Sequence, residues 1–169
     1  TNWLTAKKTI GAGLSILTPT GTCYVASGLY NEALSLAANT TVAGTNRETT
    51  IISNLIAVVT MSGTNSRLRE VTLTGGTRGV AFLGVNNVAQ RCIIQNNSDY
   101  GVSAETANNL VDQCIIRNNR IGYYASYLYQ TLPVTSCTIV SNVNEGIYLL
   151  WTALRARNCL LAGNGGDGV

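Results

Sequence analysis

Three observations predict an all-β chain wound into a parallel solenoid with three short strands per turn. Four cysteines, Cys92, Cys114, Cys137 and Cys159, recur at intervals of 22, 23 and 22 residues, and each opens the same phrase: CIIQNN, CIIRNN, CTIVSN and CLLAGN. An asparagine stands five residues after each cysteine (Asn97, Asn119, Asn142 and Asn164), and a glycine follows at Gly101, Gly122, Gly146 and Gly168. Between these markers lie short apolar stretches separated by polar, glycine-rich corners. A period near 22 is too short for a self-sufficient helix pair and suits one turn of a ribbon that is stable only when stacked on its neighbours.

The chain is expected to form a single domain, residues 1–169, with three parts. Residues 1–20 form the N-terminal cap, in which KKTIGAGLSIL places Ile10, Leu14 and Leu17 at helical spacing. A short helix there covers the apolar end and the unpaired strand edges of a stack. Residues 21–67 are rich in β-formers and make early, less regular turns. Residues 68–169 hold the regular turns of 22–23 residues, because one period before Cys92 lies Glu70, in EVTLTGGTRG, where Gly76 and Gly79 take the asparagine and glycine positions. In each regular unit the cysteine and the residue two places on (Ile94, Ile116, Ile139, Leu161) share a strand face, since side chains alternate across a pleated chain. A second strand starts near Val80, Val102, Tyr123 and Ile147, and a third lies around Val88, Leu110, Leu132 and Leu154. The asparagines and glycines are predicted to take the left-handed backbone of the corners, with the carboxamides hydrogen-bonded in a column. No helix or charged breaker follows the last unit, CLLAGNGGDGV, so an open end is expected there, covered by further chain, a partner or a second copy.

Composition narrows the function. Apolar residues make up 46%, enough for a continuous core, and charged residues only 11%. The net charge of +3 is small and dispersed, which argues against nucleic acid, and no apolar run of membrane-spanning length exists, which argues against membrane insertion. The repeat cysteines stack at about 4.8 Å with parallel Cβ directions. That orientation is poor for a bridge, and with no histidine in the chain a zinc site has no partner, so reduced thiols are expected, with no metal and no cofactor.

Gly28, Tyr30, Glu32 and Leu34 form the phrase G-x-Y-x-E-x-L, and TIIS follows at Thr50 to Ser53. With these phrases, the helix before them and the repeat after them, the chain resembles the right-handed parallel β-helix proteins of the pectate-lyase-like superfamily. The resemblance covers essentially the whole chain and implies a right-handed helix of strands. It leaves activity open, because that fold carries lyases, hydrolases, epimerases, phage tailspikes and structural proteins. Members that look like polygalacturonases use clustered aspartates with a histidine, which this chain lacks. Lyase-like members hold calcium with several carboxylates and use an arginine or lysine base. The only aspartates here are Asp99, Asp112 and Asp167.

Two residue sets are candidates for function. Asp99, Arg120, Glu145 and Asp167 fall six to eight residues after successive repeat cysteines and line one edge of the stack. They read either as a small acidic groove or, more plainly, as exposed turn residues whose arginine offsets carboxylate repulsion. Glu105 and Asp112 lie elsewhere in their turns and do not extend this row. Tyr123, Tyr124, Tyr127, Tyr129, Tyr148 and Trp151 gather in two turns, where aromatic faces suit sugar rings or a protein interface. The sequence therefore leans away from an enzyme. It points to a non-catalytic structural or adhesive module, extracellular, on a cell surface or in a virion, that shows a glycan or protein partner a binding face. The alternative is a fragment of a polysaccharide lyase or glycoside hydrolase with its catalytic turns missing. Self-association end to end or as a trimer is compatible with the low charge.

Overall fold

A computed structural model describes residues 6–18, 20–126 and 131–166. Among these the chain runs through one short helix and twenty strands, which distribute into three parallel sheets of seven, seven and six strands. Each complete turn gives one strand to each sheet: Val88–Gln90, Ile93–Gln95 and Tyr100–Ala104 in one turn, Leu110–Asp112, Ile115–Arg117 and Ile121–Ser126 in the next. Stacking starts at Thr22–Val25, which pairs with Thr41–Gly44. None of the described helices is long and apolar enough to cross a membrane.

Equivalent residues pile into inward columns. In the second sheet Ile52, Leu73, Ile94, Ile116, Ile139 and Leu161 pair in register, and all but the last are fully buried. In the first sheet the column is Val42, Leu68, Ala89, Val111 and Val134. The third strand of the unit, expected around Val88 and Leu110, lies at Val88–Gln90 and Leu110–Asp112; Val88 and Leu110 are half-buried there, and small Ala89 and Val111 fill the interior.

The helix Ile10–Leu14 is shorter than the apolar spacing suggested, and Ile10 carries its burial. Thr9 caps it by accepting from the Ala12 N–H at 3.2 Å. Glu32, from the G-x-Y-x-E-x-L phrase, reaches back across the first turn and accepts from the Ile10 and Gly11 N–H groups at 2.7 and 2.9 Å. Two orphan donors of the helix start are thereby satisfied by one carboxylate.

The corners differ from expectation in an instructive way. The left-handed residue after the second sheet is the one preceding each column position: Gly75 before Gly76, and Asn96, Asn118, Ser141 and Gly163 before the four asparagines. Asn97, Asn119 and Asn142 instead point inward, buried. Each Oδ1 accepts the backbone N–H of its counterpart one turn earlier, at 3.1 Å for Gly76 with Asn97, 3.1 Å for Asn97 with Asn119, 3.0 Å for Asn119 with Asn142 and 3.0 Å for Asn142 with Asn164. Nδ2-to-Oδ1 bonds of 2.9, 3.2 and 2.9 Å link the four carboxamides. Gly101 and Gly122 are needed for space and not for left-handed backbone. A Cβ on Gly101 would lie 2.8 Å from Nδ2 of Asn119 and 2.7 Å from the Gly122 carbonyl, and one on Gly122 would lie 2.5 Å from the Gly146 carbonyl.

The cysteines sit at another corner, just ahead of the second-sheet strands rather than within them. Each follows a left-handed residue, Arg91, Gln113, Ser136 or Asn158. Cys92, Cys114 and Cys137 are buried, Cys159 is half-buried, and all are free thiols. The Cys92 and Cys114 N–H groups donate to the next sulfur at 3.5 and 3.4 Å, while the Cys92, Cys114 and Cys137 thiols donate to the carbonyl two residues back at 3.3, 3.3 and 3.2 Å. A further asparagine ladder, absent from the sequence reading, holds the third corner: Asn87 Oδ1 accepts from Ser66 N–H and Asn109 Oδ1 from Asn87 N–H, both at 2.8 Å.

Candidate functional site

The outer face of the third sheet brings together residues from both candidate sets. Its strands run from Arg78, Tyr100 and Ile121 at their starts, and Ala81, Ser103, Tyr124 and Tyr148 share the register position opposite the inward column; Ala81 and Ser103 are covered there, whereas Tyr124 is half-buried and Tyr148 exposed. The Tyr100 and Tyr124 rings stack at 4.5 Å between centroids, tilted by 15°, and Tyr124 stacks on Tyr148 at 5.9 Å and 8°. Arg78 and Arg120 lie over the Tyr100 ring at 5.8 and 5.5 Å. Guanidinium and ring thus alternate with ring on ring along four successive turns. Such offset stacking and cation–π contacts each contribute about 0.5–1.5 kcal/mol beyond burial.

Both arginines are paired. Arg78 Nη1 meets Glu105 Oε1 at 2.9 Å, and Arg120 Nε donates to Asp99 Oδ1 at 2.7 Å, with Nη2 on the same oxygen. Glu145 lies half-buried one turn on, at the same edge. Burial, followed by the Asp99 carboxylate, pushes the Tyr100 phenol above its ordinary range, against a smaller opposing pull from Arg120. Tyr100 therefore remains a neutral hydroxyl, able to donate.

Tyr123 does not belong to this surface. It occupies the inward column with Val80, Val102 and Ile147 and is fully buried, and its hydroxyl has no hydrogen-bond partner among the described residues. Alternation sends Tyr123 into the core and its neighbour Tyr124 out. Tyr127, Tyr129, Asp167 and Gly168 lie outside the described residues. Tyr148 is 40% exposed and Trp151 75% exposed. Trp151 also holds a left-handed backbone, φ 55°, at the corner where earlier turns place Asn39, Asn65, Asn86 and Asn108. A bulky residue there costs about 1–2 kcal/mol.

Sequence reasoning missed a polar cluster on the first sheet. Asp112, set aside earlier, accepts from Gln90 Nε2 at 2.9 Å, Gln113 Nε2 at 3.0 Å and Thr135 Oγ1 at 2.6 Å. Burial alone would raise its pKa, but the bonds from Thr135, Gln90 and Gln113, with the Arg91 charge, outweigh it and hold the carboxyl below its ordinary range. Gln90, Asp112 and Thr135 share one outward register. Counting one turn forward and back from Asp112 would have found the partners.

A family model described as "Right handed beta helix region" matches residues 29–164. No curated protein matches the chain by sequence. Among solved structures, the tailspike protein gp49 from Acinetobacter baumannii bacteriophage Fri1, a capsular polysaccharide depolymerase, is similar at 13% identity with a TM-score of 0.68, over 86% of this chain and 35% of that one. Pectin methylesterase PemA from Erwinia chrysanthemi is similar at 14% identity and TM-score 0.62, over 98% of this chain and 63% of that one. The A-module of the Azotobacter vinelandii mannuronan C-5 epimerase AlgE4 is similar at 15% identity and TM-score 0.60, over 95% of this chain and 68% of that one. The chain thus spans about a third of the tailspike and less than two thirds of the esterase. At these identities the likeness is one of fold.

Proposed function

The chain belongs to the right-handed β-helix family, and from that premise we propose that it is a rigid, non-catalytic module that holds a polysaccharide against the outer face of its third sheet. The observation that carries this reading is the row Arg78, Tyr100, Tyr124 and Tyr148, one residue per turn over four turns. A polymer laid along the solenoid axis would meet a phenol or a guanidinium at each strand spacing, with Tyr148 and Trp151 offering apolar ring surface to a sugar. Trp151, 75% exposed and left-handed at a position where other turns use asparagine, adds a second exposed aromatic to the Tyr148 turn. Asp99 and Glu105, the carboxylates nearest the row, are each tied to an arginine, which disfavours a free acid–base pair there. The tailspike, esterase and epimerase, whose names tie them to polysaccharides, lend the reading context, as does the phage particle for an extracellular or virion setting.

Binding to immobilised polysaccharides tests the proposal. Tyr148→Ala and Trp151→Asn should each weaken binding at least tenfold while circular dichroism stays native. Retention unchanged in both variants sinks the reading.

One observation favours an enzyme instead: Asp112, held ionised among Gln90, Gln113 and Thr135 on the first sheet. Polysaccharide turnover abolished by Asp112→Asn and untouched by Tyr148→Ala would favour that second reading.

A further inference from the structure

The outer face of the third sheet carries two arginines, yet it is not cationic. Arg78 is neutralised by Glu105 and Arg120 by Asp99, and Glu145 stands at the same edge, so two guanidiniums face three carboxylates. The positive surplus lies elsewhere. Among the described residues, Arg67, Arg69, Arg155 and Arg157 are on first-sheet strands and Arg91 sits at the adjoining corner, against Glu70 and Asp112. A polyanion nearing the solenoid is steered toward the first sheet by that surplus. At the third sheet it would meet guanidiniums whose charge a carboxylate already balances.

We infer that the polysaccharide held by the tyrosine row is uncharged and is gripped through its hydroxyl groups. The inference rests on the binding role proposed above and adds the chemical class of the ligand. Sugar hydroxyls donate and accept, and the row offers both in alternation: phenols and guanidiniums donate, while the Asp99 and Glu105 oxygens keep lone pairs free after pairing. Tyr100 and Tyr124 stack face to face, so the ring faces they share are closed to a sugar. Tyr148 and Trp151, the exposed aromatics, supply the apolar contact that a neutral pyranose takes without any charge. Slight net acidity at this edge then excludes uronate polymers by like-charge repulsion, a specificity device built from the same side chains.

Affinity electrophoresis in gels containing mannan, galactan, xylan, polygalacturonate or alginate tests this with the wild type, Tyr148→Ala, Tyr148→Phe and the double variant Asp99→Asn/Glu105→Gln. At least one neutral polymer should retard the wild type. That retardation should be lost in Tyr148→Ala, kept in part by Tyr148→Phe, and unchanged as added salt shortens the Debye length from about 10 Å to about 3 Å. The double variant, with its arginines released, should gain retardation by the polyuronates. Tyr148-dependent retardation of the wild type by polygalacturonate or alginate, weakening with salt, overturns the neutral-ligand inference and leaves the binding face standing. No Tyr148-dependent retardation by any polymer overturns both.

Discussion

The asparagine column inside the second corner and the tyrosine row outside the third sheet obey the same stacking rule and use it to opposite ends. Inside, Asn97, Asn119, Asn142 and Asn164 are identical: each accepts the backbone N–H of the turn before it, and the last three also accept from the preceding carboxamide. Outside, Arg78, Tyr100, Tyr124 and Tyr148 differ from turn to turn, and their contacts are ring on ring and charge on ring. Identity serves where every polar group must find a partner away from water, and variety is tolerated where water can substitute. Repetition in this chain therefore marks stability, and departure from repetition marks the face available to a ligand.

Replacing residues inside the stack should be the severest way to break that contrast. Ile116→Asp places a carboxylate in a fully buried column between Ile94 and Ile139, and should destabilise by more than about 4 kcal/mol, leaving a chain without a cooperative melting transition by circular dichroism. A matched pair of neighbours sharpens it. Asn119→Ala strips the Asn97 N–H of its acceptor and should cost about 3 kcal/mol in urea unfolding, whereas Arg120→Ala, one residue on, removes only a surface ion pair and a ring contact and should cost less than about 1 kcal/mol. Equal losses would show that the inner and outer columns do not differ in kind. The smallest effect concerns acid. The folded-state pKa of Asp112 lies below its unfolded value of about 3.9, so its contribution is present above that pH and fades as pH falls below about 4. Asp112→Asn should flatten the pH dependence of the melting temperature in that window and leave it unchanged near neutrality.

What could be read from the sequence follows the same division. The period, the three strands per turn, the inward cysteines and the asparagine column were all legible, because each recurs at one interval and alternation assigns its face. The corner chemistry was not. Left-handed backbone falls on Asn96 and Asn118, not on Asn97 and Asn119, and two adjacent asparagines look alike until one is seen to point inward. The second ladder, Asn87 with Asn109, spans only two of the turns and so raised no repeat signal. Of the surface sets, Asp99 and Arg120 could be paired from their offsets, but the tyrosine stack could not: Tyr100 and Tyr124 lie at different positions within their strands, and only side-chain direction brings the rings together. Tyr123 shows the converse, an aromatic chosen by clustering that packing assigns to the core.

Every sheet hydrogen bond between turns, and both asparagine ladders, points along the axis of the winding, whereas the covalent chain runs around it. Pulling the two ends apart therefore loads a few noncovalent links at the last turn and peels the protein coil by coil at modest force. Squeezing or shearing it sideways loads the backbone itself. The row of rings lies on the flank, so a ligand held there would pull across the coils and not along them.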